Sequence, residues 1–196
     1  MPTSTKQRKL RADAERSIAS IVSAALECVR ADPQASLSAV ARAAGVSRGT
    51  LYAHFPTREA LLEAVVELSV ATAAEALEKE RLDEGPADEA LARLIRSSWH
   101  VLDEHSSVFA ASSEALTAER QRDNHERVLA PVEQLIFRGQ QEGTLRADMP
   151  VKWLVAVLYN LMHTAAAEVR AKRLSARSAP EILVETLLSA MRLPTG

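Results

Sequence analysis

The chain has 196 residues, 47% of them hydrophobic, with six glycines, one cysteine and a formal charge of −2. That length suits one domain, or a small domain plus a larger one, with ample apolar material for a core; scarce glycine beside abundant alanine and leucine favours helices over sheets. A single cysteine excludes a disulfide framework. No apolar run approaches the ~20 residues of a membrane span and no signal-peptide stretch follows Met1, so a cytoplasmic protein is expected.

The small net charge hides an asymmetry: residues 1–60 hold nine Lys or Arg against five Asp or Glu, and residues 61–196 hold fifteen against twenty-one. Residues 1–11 carry Lys6, Arg8, Lys9 and Arg11 and no acid. They read as a mobile basic arm, either a solvated tail or one that reaches DNA phosphates or the minor groove through Lys6 and Lys9. From about Asp13 a helix is expected, with Ile18, Ile21, Val22, Ala25 and Val29 on one face and its end before Asp32-Pro33. Cys28 lies among these positions as a small packing residue, without a second cysteine or an evident base beside it.

Residues 36–58 read as two short helices around a tight turn. Ser36 can cap a first helix in which Leu37, Val40, Ala41 and Ala44 recur at helical spacing, and Gly45 stands where the chain must leave that helix in the left-handed region. Ser47 can cap a second helix that buries Leu51 and Phe55 and leaves Arg48, Thr50, Tyr52 and His54 outside. Helix, glycine turn and polar helix make a helix-turn-helix, whose second helix enters the major groove, although Ala-Ala-Gly-Val also suits an ordinary helical hairpin. Arg48 is a fork-shaped donor for guanine O6 and N7, Thr50 offers a hydroxyl or a methyl, and Gly49 permits close backbone approach. Tyr52 and His54 suit phosphates, and Ser36, Ser38 and Ser47 complete the expected DNA-binding set.

The run Val40-Ala41-x-x-Ala44-Gly45-Val46-Ser47-x-Gly49-Thr50-Leu51-Tyr52-x-His54-Phe55, followed by Thr57-Arg58-Glu59-Ala60-Leu61-Leu62, resembles the DNA-binding domain of TetR-type transcriptional regulators. The resemblance covers about the first third of the chain. It implies an all-helical dimeric repressor whose C-terminal domain binds a small effector and dimerises. One departure is visible: many members carry lysine where Arg58 stands, and arginine grips phosphate as a fork instead of a point.

After Pro56, Thr57 can cap a long helix to about Glu80, whose free N-terminal N–H groups and Arg58 could hold a DNA phosphate and whose length could carry an effector signal. Asp83-Glu-Gly85-Pro86 ends it. A helix with Leu91, Leu94, Ile95 and Leu102 follows, its pattern falters near His105-Ser106-Ser107, and a short helix runs from Val108 to about Leu116. Residues 117–127 are mostly polar, a solvated helix start or loop. A longer helix then ends at Gly143, and Pro131 inside it is expected to kink it. The most apolar helix spans about 150–173, and Ser178-Ala-Pro180-Glu181 reads as a capping box opening the last helix.

The domains expected are 1–56, the three-helix DNA-binding domain with its arm, and 57–196, a larger helical domain, for an all-α chain of about nine helices. In the second domain Trp99, Leu102, Phe109, Ser113, His125, Val128, Leu158 and Tyr159 are the candidate lining of a small-molecule site, each with core packing or surface as its bland alternative. One face cannot bury all of the apolar helix 150–173, so the last two helices are expected to meet their two-fold mate as a four-helix bundle through Trp153, Val157, Asn160, Leu161, Ile182 and Leu187. His163 shares a helix face with Asn160 and could form a polar spot there. The five histidines lack zinc-motif spacing and no acid–base carboxylate pair stands out, so neither catalysis, metal nor cofactor is expected. The expected function is a homodimeric repressor, bound to a palindromic operator and released by a small effector. The alternative is a helical architectural or activating DNA binder without one.

Overall fold

The structure, a computed structural model, describes residues 3–192, without the side chains of residues 3–7, 9–12, 114, 118, 119 and 121–124. Its described residues are all helical: α1 (Thr3–Ala31), α2 (Leu37–Ala43), α3 (Arg48–His54), α4 (Arg58–Glu78), α5 (Ala87–Ala115), α6 (Ala118–Glu142), α7 (Val151–Arg170) and α8 (Ala179–Met191). The all-α class is as the sequence implies. Two boundaries differ from expectation.

The basic stretch 3–11 is not a free arm but the first turns of α1. Residues 3–11 contain neither glycine nor proline, and Lys, Gln, Arg and Leu all favour the helix. Asp13, expected to start α1, pairs along the helix with Arg16 instead. The side chains of Lys6 and Lys9 lie outside the described residues. In the same way α5 runs unbroken through His105-Ser106-Ser107. Ser106 is buried, and its carbonyl also accepts from Arg170 Nη1 at 2.9 Å. A polar interruption in the apolar stripe therefore does not interrupt the backbone.

The chain divides into two compact units, residues up to Leu68 with Ser107–Gln121, and Ser69–Ser106 with the residues from Arg122 onward. In the first unit α2 packs on α1 and α3. Ile21, Val22, Ala25 and Val29 of α1, Val40 and Ala41 of α2, Leu51 and Phe55, and Leu61, Leu62, Val65 and Val66 of α4 are all buried. Ile18, expected on that face, is mostly outside it, 39% exposed.

The second unit has its own core, including Leu91, Leu94, Ile95, Trp99, Ile136, Leu145, Leu154, Leu158, Leu187 and Met191. Gly139 sets one of its closest approaches. A methyl placed there would stand 2.6 Å from Leu145 Cδ1 and 3.1 Å from Ala87 Cβ, so only glycine lets α6 lie against both. Gly143, at φ 72°, then turns the chain out of α6, and the N–H groups of Thr144 and Leu145 both donate to Gly139 O at 3.0 Å. The expected capping box of α8 does not form. Ser178 is helical at φ −94°, ψ −16° and makes no side-chain cap, its hydroxyl donating to Ser175 O, and Glu181 turns to Arg96 at 2.8 and 2.9 Å.

Candidate functional site

The helix-turn-helix is built from local signals. Ser36 Oγ accepts from Ala39 N at 3.2 Å and starts α2. Gly45, at φ 68°, ends it: Gly45 N donates to Arg42 O at 3.2 Å and Val46 N to Ala41 O at 3.0 Å, closing the last turn. Ser47 Oγ then accepts from Thr50 N at 3.0 Å and opens α3. Leu51 and Phe55 point inward, so the other face of a seven-residue helix is left to solvent.

That face carries Arg48, Gly49 and Tyr52, all exposed, with Thr50 and His54 half-buried at its edges. Thr50 Oγ1 and Ser47 Oγ lie 2.8 Å apart in a hydrogen bond, which ties the Thr50 hydroxyl to the cap. A Cβ on Gly49 would meet only Ser47 Oγ, at 3.7 Å. The fold does not need glycine at that position. Ser38 is half-buried in the first turn of α2.

Arg58 donates to the carbonyl of Pro33, across the turn that follows α1. Thr57 Oγ1 accepts from Ala60 N at 3.1 Å. The Glu59 carboxyl is held below the usual carboxylate range by its backbone N–H first and the Thr57 hydroxyl second. One Arg58 N–H and the Ala60 N–H are thus engaged within the chain.

The candidate small-molecule residues divide. Phe109 and Ser113 fall in the first unit, where the Ser113 hydroxyl donates to Phe109 O at 2.8 Å. The others fall in the second. Trp99 and Leu158 are buried in its core, Leu102 and Val128 pack against it, and His125 and Tyr159 come together. His163 joins them, away from Asn160, whose amide donates to Ala156 O at 2.8 Å on the exposed side of α7. The three rings meet edge to face, with centroids 5.2 Å apart for His125–Tyr159, 5.8 Å for His125–His163 and 4.5 Å for Tyr159–His163. Tyr159 Oη and His163 Nδ1 are closed off from solvent.

Burial, with a lesser contribution from the charge of a protonated His125, lowers the His163 pKa from 6.5 to about 3. Below pH 6.5 the unfolded chain therefore takes up a proton that the folded one refuses, and folding stability falls with pH from 6.5 towards 3. Melting temperatures measured across that range should decline more steeply for the parent than for His163→Gln. Equal slopes would contradict the burial of a neutral imidazole.

The expected dimer residues also divide. Trp153 is 57% and Ile182 44% exposed, outward from α7 and α8. Val157 and Leu161 are half-buried and Asn160 is exposed. Leu187 is fully buried in its own chain and belongs to the core, not to a surface that a mate can reach. A groove of about 310 Å³ runs along α8, lined by Glu181, Val184, Glu185, Leu188, Ser189 and Arg192. Periodicity alone did not mark it. Its rim is tied by the Arg96–Glu181 and Arg192–Asp88 ion pairs. Among the described residues no group of three His, Cys, Asp or Glu could hold a metal ion, and no helix is long and apolar enough to cross a membrane.

Residues 21–65 match the family model of bacterial regulatory proteins of the tetR family. Solved structures match over most of the chain. The transcriptional regulator FadR from Bacillus subtilis, in complex with stearoyl-CoA, aligns with TM-score 0.74 at 19% identity, covering 87% of this chain and 97% of that one. The TetR-like regulator LfrR from Mycobacterium smegmatis, in complex with proflavine, gives 0.66 at 23%, covering 92% and 99%. A TetR regulator from Streptomyces coelicolor gives 0.57 at 26%, covering 91% and 99%. No curated protein matches.

Proposed function

We propose that this chain, which carries a tetR-family regulatory domain on the fold of TetR-type transcription regulators, acts in the cytoplasm as a homodimeric repressor of a palindromic operator, released from it by a small-molecule effector. The observation that carries the reading is α3, capped by Ser47, anchored by buried Leu51 and presenting Arg48, Gly49 and Tyr52 outward. Two copies in a two-fold dimer would read half-sites whose centres lie ~34–36 Å, or a multiple of that, apart. Ligand-bound FadR and LfrR support a small-molecule effector. No catalytic role is assigned.

Selection of bound duplexes from a random pool at ~0.15 M salt, where non-specific phosphate binding is weakened, tests the reading. A two-fold symmetric motif supports it, and enrichment without a motif sinks sequence-specific repression. With the selected operator, Arg48→Ala should cost ~1–3 kcal/mol at one base position of each half-site and relax the choice there. Titrations against operators altered one base at a time read this directly. An equal loss on every sequence would move Arg48 from base reading to phosphate contact.

A further inference from the structure

We infer that the groove along α8 is the seat of Trp153 from a second copy of this chain, an assignment that rests on the homodimer proposed above. The groove suits one flat ring. Val184 and Leu188, both buried, supply its apolar floor, and no aromatic side chain of the chain itself lines it. Its about 310 Å³ stands at the low end of small-molecule sites, room for one bicyclic side chain. The polar groups at its two ends are already engaged, Glu181 with Arg96 at 2.8 Å and Arg192 with Asp88 at 2.7 Å. Held in that way, the Arg192 guanidinium can offer its planar face to an aromatic ring.

Charge selects the occupant. Glu185 is the one carboxylate of the lining that is left over, and Lys152 stands one residue before Trp153; both are exposed, and among the described residues neither is paired. An indole entering the groove therefore brings a cation to an acid that lacks one. Phe137 of α6 is about as exposed as Trp153, but the cation beside it is engaged: Arg138 donates to Gly85 O at 3.2 Å and pairs with Glu142. The groove is also continuous with the face expected to meet a mate, because Ile182, Glu185 and Ser189 follow one another at helical spacing and are all exposed. A two-fold axis that seats one Trp153 seats the other, so a single rotation covers two indoles and forms two Lys152–Glu185 contacts.

The test measures dimer strength of the full chain by sedimentation equilibrium from nanomolar to micromolar concentration. Lys152→Glu and Glu185→Lys, each alone, should dimerise at least ~10-fold more weakly than the parent, since each sets like charges at both contacts. Mixed, the two variants should form a heterodimer in which both contacts again join opposite charges, at close to parental strength. A heterodimer no stronger than either variant alone overturns the inference. Ser189→Trp, which sets a ring of the chain's own at the edge of the groove, and Trp153→Ala should each weaken the dimer ~10²–10³-fold, the loss of two aromatic anchors, and together no further than either. Both positions are exposed, so neither variant empties the core. Parental dimer strength for Ser189→Trp removes the groove as the seat, and if Trp153→Ala still weakens the dimer, the homodimer stands without it. A parent that is monomeric at micromolar concentration removes the homodimer and the inference together.

Discussion

The double variant Trp153→Glu, Ile182→Glu should sediment as a monomer and lose ~10²–10⁴-fold in operator affinity, the range that separates two linked half-site contacts from one. Both side chains face outward although both are large and apolar, 57% and 44% exposed. In a homodimer joined by α7 and α8 they are the groups that leave water, and two carboxylates in their place would face two more across the two-fold axis. The variant should still fold, because neither residue belongs to the chain's own core. Sedimentation equilibrium at micromolar concentration gives the answer. A dimer of parental strength would move the interface away from this face.

Leu51→Ala should destabilise the chain by ~2–5 kcal/mol, the usual cost of emptying a buried leucine site. Leu51 has no exposed surface and is the buried anchor of a seven-residue helix, too short to persist without its packing. Its neighbour Tyr52, 48% exposed on the opposite face, is the control: Tyr52→Ala should change stability by no more than ~0.5 kcal/mol. Denaturant titrations of both variants check the pair. A loss for Leu51→Ala as small as that for Tyr52→Ala would mean that α3 is not held from inside, and the reading surface would lose its mechanical basis.

What was legible in the sequence follows the range of the forces involved. Ser36, Gly45 and Ser47 act on amides within a few residues of themselves, so the helix-turn-helix can be read from spacing, and each cap and turn stands as expected. The misreadings involve partners far along the chain. Glu181 leaves a local capping box for Arg96, 85 residues away, and forms a forked ion pair that a box with one serine does not match. Arg58 also donates to Pro33 O, 25 residues back, a contact that local spacing does not announce. Leu187 and Ile182 follow the same apolar rhythm of α8, yet one is fully buried and the other exposed; periodicity names the stripe and not its edge. His163 could be placed by spacing with Asn160 or with Tyr159, but only the approach of α6 to α7 brings His125 to it.

Pro131 lies inside α6, between the end that carries His125 and the stretch Leu135–Gly139 that is fastened into the core. A proline has no N–H, so the helix lacks one rung of its ladder at that point, the one to Arg127 O. The missing rung lowers the bending stiffness of α6 at that point, while Gly139 stays seated on Leu145 and Ala87.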